Sequence, residues 1–558
     1  MLNASLLADS SKNVSVCRAI VLHCSLAFGL CMSATGLAQQ SPTQDAVENA
    51  VTATEAPDAA ESPEFLLNEL RVLGNSVLSE MTIGKVLSPY LGPGRSLQDV
   101  EAARVALESE YHAQGFGTVF VDIPEQTIGN DGVVRLKVTE SRLQHTSITG
   151  TRYFSNRQIR AAIPAATENA VPNLPQLQAQ INAVNTITSD RAVVPVLKAG
   201  AQPGTVDLAL KVQDDLPLHA VVEINNQYTA DTTHLRSSLA LSYDNAFGRQ
   251  DSLSLQYQTS PQDTKEVGVF AASYVAHLLD GSNTDKLSLT YIDSTSEVAT
   301  VGDISVAGKG KTYSAHLMHA LQATSTVMSS FNFGIDFKDS TQAVKLSETD
   351  SLNTPLSYTS LQAGYSWMLR TAPRTWTWNN TLAIGIPGLG SSRTEFADKC
   401  YGCKPNFSVL RSEAGLTQQL PWKLSAAMRL AGQYSVEPLI SNEQQLLGGA
   451  HSVRGYLEAE ELGDVGIRGS LEVRASGLAP VKWLQVEPYL FYDAGRVSFQ
   501  QPLPGQTRSI GLQSAGLGVD LTVWSHITGT LVFAEPLADA SRTRRGDGRV
   551  EFMARGAW

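Results

Sequence analysis

Arg549-Val550-Glu551-Phe552-Met553-Ala554-Arg555-Gly556-Ala557-Trp558 ends the chain. Successive side chains of an extended strand point to opposite sides. Val550, Phe552, Ala554, Gly556 and Trp558 therefore share one face, and Arg549, Glu551, Met553 and Arg555 the other. An apolar face backed by a charged face suits a wall between lipid and a water-filled lumen. The same period of two runs upstream. Leu235, Ser237, Leu239, Leu241 and Tyr243 alternate with Arg236, Ser238, Ala240 and Ser242, and Leu253, Leu255 and Tyr257 alternate with Ser254, Gln256 and Gln258. Leu287, Leu289 and Tyr291, and Leu471, Val473 and Ala475, behave alike. A soluble sandwich shows this period too. What separates the two is loop length. Around 245–249 and 370–374 the turns are tight, whereas 294–311, 387–405, 435–462 and 499–509 are long. Short turns at one end and long loops at the other are the pattern of an outer-membrane barrel. Residues 215–558, at roughly 20 residues per strand plus loop, allow about 16 antiparallel strands. A transmembrane β-barrel of that size encloses a channel that wall side chains do not fill.

The totals agree. The chain has 558 residues, enough for more than one unit, and a net charge of −12. That sign argues against nucleic acid as a partner, since phosphate needs basic patches. No internal apolar run reaches the length of a membrane helix, and mean hydropathy is −0.09, so a membrane protein of this composition has to cross with strands. Lys12 and Arg18 precede an apolar run over 19–34, and Gly36-Leu37-Ala38 offers a cleavage site ahead of Gln39. Residues 1–38 thus read as a secretory signal. Cleavage leaves Cys400 and Cys403, a C-x-x-C pair that in an exported protein reads as a local disulfide. Zinc would need two more ligands, and no nearby His or Cys supplies them. Residues 39–62, rich in Ala, Glu, Thr and Pro, read as an acidic linker.

Between 63 and 214 the pattern mixes helices and strands, and it repeats. Val72-Leu73-Gly74-Asn75-Ser76-Val77-Leu78-Ser79-Glu80-Met81-Thr82-Ile83 aligns without gaps on Ile148-Thr149-Gly150-Thr151-Arg152-Tyr153-Phe154-Ser155-Asn156-Arg157-Gln158-Ile159. In each copy a strand ends at Gly and Ser caps a helix, with Gln158 at the capping-box position of the second. Ile83, Val86, Leu87 and Tyr90 give one apolar helix face, and Val100, Ala103, Leu107 and Tyr111 a second. Strands over 118–125 and 132–140 close the first unit, and strands over 192–199 and 206–213 the second. Repetition of this kind marks two βααββ domains, 63–141 and 142–214, ahead of the barrel at 215–558.

Together these residues resemble the two-partner secretion transporters, the haemolysin secretion/activation branch of the outer-membrane insertase superfamily. Residues 111–143 resemble the close of the family's first periplasmic POTRA domain, with Ile123-Pro124-Glu125-Gln126 and Val133-Val134-Arg135-Leu136-Lys137-Val138. Leu447-Gly448-Gly449-Ala450-His451-Ser452-Val453-Arg454-Gly455-Tyr456 carries the Val-Arg-Gly-Tyr signature of the long loop that folds back into the barrel, and Phe491-Tyr492-Asp493-Ala494-Gly495 a second motif. The resemblance implies an outer-membrane pore of a Gram-negative bacterium with its POTRA domains in the periplasm. It implies a secreted exoprotein as partner, often an adhesin or cytolysin, that docks on those domains and threads the pore unfolded. The outer-membrane lipid and the barrel-assembly machinery are the other expected partners. An insertase of the same superfamily is the competing reading; it usually carries more such repeats. A passive porin needs none.

Residue chemistry fits that implication. Gln485, Glu487, Tyr489, Phe491 and Asp493 share the lumen phase of their strand. The planar fork of Arg454 matches a carboxylate at two points, so a loop tipped by Arg454 is expected to lock onto Asp493. Gly455 allows the tight turn behind the arginine, and Tyr456 packs on the wall. Arg468, Glu472 and Arg474 are candidate lumen charges that exchange with the lock or simply hydrate the wall. Phe552 and Trp558 resemble the assembly signal at the end of the last strand. No nucleophile elbow, metal spacing or phosphate loop appears, so neither catalysis nor a cofactor or metal is expected.

Overall fold

The computed structural model describes residues 64–558 apart from 130, 279–283, 297, 302–303, 308, 322–323, 341–342, 346–350 and 354. The expected signal segment and linker lie outside the described residues.

The two N-terminal copies share one topology. In the first, Glu69–Leu73 runs parallel to Val133–Glu140, which pairs antiparallel with Val119–Asp122; in the second, Arg142–Thr149, Thr205–Asp214 and Arg191–Ala199 repeat that order. Two helices cover each sheet: Glu80–Leu87 with Leu97–Ala113, and Asn156–Ala162 with Leu174–Asn185. Ser79 and Ser155 cap the first helix of each copy, and Gln158 completes a capping box. The face made of Val100, Ala103, Leu107 and Tyr111 is fully buried against Val119, Val134 and Leu136.

The repeated glycine has a steric cause. Gly74 and Gly150 sit at φ +91° and +94°, where a Cβ would lie 2.4 and 2.1 Å from the carbonyl oxygens of Val138 and Val212. Just past each glycine the chain turns, and its free N–H groups are collected by one acid from the end of the last strand. The Ser76 and Val77 N–H groups donate to Glu140 Oε1 at 2.6 and 3.1 Å. Those of Arg152, Tyr153 and Phe154 donate to Asp214 Oδ2 at 2.6, 2.9 and 3.1 Å. One short ribbon, Phe65–Leu67 with Gly92–Arg95, was not legible in the sequence. An edge of only two strands tolerates Pro93, which has no N–H to donate to a ladder.

From Leu218 on, the chain closes into an antiparallel barrel of sixteen staves, taking Leu478–Val481 as the continuation of Val465–Ala475 along the same neighbour. The last stave, Arg549–Ala557, closes on the first, Leu218–Asn225, through Met553↔Asn225 to Ala557↔Val221. Trp558 N–H and C=O pair with Ala220 just beyond. Alternation sorts the wall as read. On Leu484–Ser498, Leu490 is 65 % exposed and Asp493 0 %. Outward apolar side chains in such numbers suit lipid, not water. Turns at the end nearest the N-terminal domains are short (247–250, 372–373, 421–423, 524–526), and those at the other end are long (387–407, 436–464, 537–548). The short-turn rim also carries exposed Phe247, Trp422, Trp483, Trp524 and Trp558, an aromatic girdle at headgroup level. No helix among the described residues is long and apolar enough to cross a membrane.

Candidate functional site

The long loop 436–464 returns into the lumen. Its stem is a short ribbon, Gln445–Leu447 with Glu461–Gly463. Asp464 ties the neck: its Oδ1 accepts from Leu439 N–H and Gln444 Nε2, each at 2.9 Å, and its Oδ2 from Gln500 N–H at 2.9 Å.

At the tip, Arg454 reaches the wall. Its Nε and Nη2 donate to Oδ2 and Oδ1 of Asp493, each at 2.7 Å, and its backbone N–H adds a third bond at 3.2 Å. Nη1 pairs with Glu472 Oε1 at 2.8 Å, and Nη2 also donates to Ser470 Oγ at 3.0 Å. The guanidinium lies over the Phe491 ring at 3.6 Å. Asp493 and Ser470 face each other in register on neighbouring staves, which is why one fork contacts both. A bidentate pair of this kind is among the stronger polar contacts, and here both carboxylates are buried.

The other expected residues group around it. Arg474 donates to Glu472 Oε2 at 2.9 Å and pairs with Asp520, so Glu472 is shared between two arginines. Arg468 donates to the His451 carbonyl at 2.9 Å and steadies the tip. Gly455 N–H donates to Glu551 Oε1 at 2.8 Å, and Tyr456 Oη donates toward the Gln513 and Ala538 carbonyls at 2.9 and 2.8 Å. Phe552 and Trp558 stand apart, on the outward phase of the closing stave. Cys400 and Cys403 form a disulfide in the outer loop 387–407, beside the helix Arg393–Lys399.

Gly455 occupies φ +89°, and a Cβ there would lie 3.0 Å from Ala534 Cβ. A left-handed backbone costs a substituted residue about 1–2 kcal/mol, and the tip has no slack to absorb the contact. Gly455→Ala is expected to undock the tip part of the time, seen as protease cleavage within 448–460 that wild type resists. Equal resistance would contradict the tight fit.

Two groupings were missed by sequence reasoning. Glu443, at the start of the same loop, is buried among Lys338, Tyr358 and Arg411. Asp190, His219 and Asp244 meet where the second N-terminal domain joins the barrel, with His219 Nε2 3.1 and 3.5 Å from the two carboxylates. Nearby, Asn245 Nδ2 donates to the Tyr153 carbonyl at 2.9 Å. The partners in each group are distant in sequence, so no local spacing announces them.

Residues 204–521 match the model of the haemolysin secretion/activation protein ShlB/FhaC/HecB. The chain belongs to this haemolysin secretion/activation family. Residues 65–141 match the family's ShlB-type POTRA domain. Among its relatives are the outer membrane transporter CdiB of Dickeya dadantii, 24% identical over 77% of this chain and 75% of the relative, and the heme/hemopexin transporter protein HuxB of Haemophilus influenzae, 24% identical over 85% and 84%. The fold is that of CdiB from Escherichia coli, at TM-score 0.64 and 19% identity over 91% of this chain and 93% of that one. BamA from Haemophilus ducreyi lacking POTRA domains 1–3 shares it less closely, at TM-score 0.52 and 13% identity over 88% and 100%. As a haemolysin secretion/activation transporter, the chain is an outer-membrane translocation pore with its POTRA domains in the periplasm.

Proposed function

We propose that this pore exports one exoprotein, delivered unfolded to the POTRA domains, and that the Arg454 latch keeps the lumen closed between passages. Arg454, Gly455, Tyr456 and Asp493 hold the loop tip. Glu472 already shares the docked fork, and Arg474, with Arg468 nearby, supplies positive charge to the wall acids when the tip leaves while cargo moves. The observation that carries this reading is the buried Arg454 fork shared by Asp493 and Glu472 on a loop that descends from the outer rim. An open sixteen-stranded lumen would leak, and a charge pair screened from solvent holds a plug while leaving other lumen charges to exchange with. The reading needs no nucleotide and no covalent step; folding of the cargo outside supplies the drive. Phe552 and Trp558 serve as the signal read by the barrel-assembly machinery, and the outer-membrane lipid covers the apolar wall. The disulfide Cys400–Cys403 clips the outer loop.

A photo-crosslinker in the POTRA domains tests the reading during export. Capture of a secreted exoprotein supports it. Capture of nascent barrel proteins instead would favour an insertase, the function suggested by the likeness to BamA.

A further inference from the structure

The loop that carries Arg454 is held at a second place, and the charges there are reversed. At the tip a loop cation meets wall acids. At Glu443 a loop acid meets wall cations. Lys338 Nζ and Arg411 Nη2 contact its two carboxylate oxygens at 2.7 and 2.8 Å, and Tyr358 Oη donates at 2.7 Å. Arg411 Nη2 and Gln433 Nε2 also donate to the Glu443 carbonyl at 3.1 and 2.9 Å. Two cations and a phenol facing the two Glu443 carboxylate oxygens favour the charged carboxylate there.

The two sites lie at different depths. Lys338, Tyr358 and Arg411 are each two or three residues from the outer ends of Val327–Ser340, Leu356–Thr371 and Ser408–Leu420. At about 3.3 Å per residue, Glu443 sits within roughly 10 Å of the outer rim. Asp493 is five residues below Ser498 on its stave, some 17 Å down by the same rise. The sites also differ in support. Leu439 and Ile440, just before Glu443, are buried in an apolar cluster with Tyr358, Phe396, Phe407, Val409 and the disulfide residue Cys403. The tip is packed as well, with Val453 and Tyr456 buried beside Leu447, Val497 and Leu512, but its wall acid Glu472 is shared with Arg474, whereas the nearest wall acid beside Lys338, Asp336, is already engaged by His316 and Gln362.

Resting on the latch reading of Arg454, we propose that Glu443 is a positioning residue, the fixed mooring about which the loop swings. The tip leaves Asp493 when cargo passes, while the Glu443 end stays at the rim. The mooring limits the tip's travel and returns Arg454 to the same wall acids afterwards. Losing the mooring slows reclosing; losing the latch makes opening frequent. The two faults are separable in single-channel records.

Full-length wild type, Glu443→Gln, Glu443→Asp and Arg454→Ala are reconstituted in planar bilayers, with heat-modifiable gel mobility as the check on barrel assembly. Glu443→Gln is expected to lengthen dwells in the wide-conducting state about tenfold or more, because the half-buried cations Lys338 and Arg411 lose the buried carboxylate they share. Glu443→Asp, which keeps the charge, should recover part of that loss. Should Glu443→Gln fail to assemble, Arg411→Gln removes the same pair from the wall side and should also lengthen the dwells. Wild-type dwells in an assembled Glu443→Gln or Arg411→Gln barrel, beside an altered Arg454→Ala, would overturn the mooring and leave the latch standing. Altered dwells in Glu443→Gln beside wild-type records for Arg454→Ala would overturn the latch reading instead.

Discussion

Arg454→Ala is expected to yield a barrel that assembles normally, opens far more often than wild type and exports poorly. Asp493 is fully buried and Glu472 nearly so. Removing one partner of a buried, hydrogen-bonded ion pair costs about 3–5 kcal/mol, because the remaining charge keeps its desolvation penalty and loses its compensation. At about 1.4 kcal/mol per factor of ten, the docked loop loses roughly two to three and a half powers of ten in population relative to undocked states. The wall does not share that loss. Asp493↔Ser470 and Glu472↔Phe491 are paired through their backbones, so closure of the barrel persists. Arg454→Lys should recover only part of the effect, since a point charge cannot fork across both Asp493 oxygens. Conductance in planar bilayers and exoprotein yield in the medium are the measurements. Wild-type values of both would remove the latch.

How far this arrangement could be read beforehand depends on the distance between partners. Staves were legible because period two is local: Leu490 and Asp493 differ in burial by their phase on one strand. The first helix of each POTRA copy was legible because Ser79 and Ser155 mark their starts. Arg454 and Asp493, 39 residues apart, were joined in advance only by two motifs of a resembling family; polarity alone placed Asp493 toward the lumen without saying what it meets. Glu443 had no such help. Lys338 is 105 residues from it and Arg411 32, and closing the barrel is what brings them to one point. The Asp190–His219–Asp244 grouping spans two domains and depends on their docking. Pairings made by closure and docking leave no periodic trace in the chain.

Deleting 64–214 should abolish secretion while leaving a conducting barrel. Closure uses hydrogen bonds within 218–558, from Leu218–Asn225 round to Arg549–Ala557, so the wall loses none of its ladder. What it loses at the junction, such as the bond from Asn245 to Tyr153, lies at the short-turn rim where water replaces it. The POTRA sheets, by contrast, offer edges. Among the described residues Arg191–Ala199 pairs only with Thr205–Asp214, and its Val194 and Leu197 are exposed. An unfolded cargo can add a strand to such an edge through backbone hydrogen bonds, with little demand on its side chains. Docking there makes the pore mouth's encounter with cargo intramolecular. A short flexible tether gives an effective concentration in the millimolar range, so loss of the dock lowers productive encounters wherever free cargo is more dilute than that. The latch adds to this, because a closed lumen opens too rarely for chance encounters to find it. Exoprotein in the medium should therefore drop below detection while single-channel conductance of the truncated barrel persists. Secretion at the wild-type rate from the truncated protein would show that cargo finds the pore without the POTRA sheets, and export would then have to begin at the barrel mouth itself.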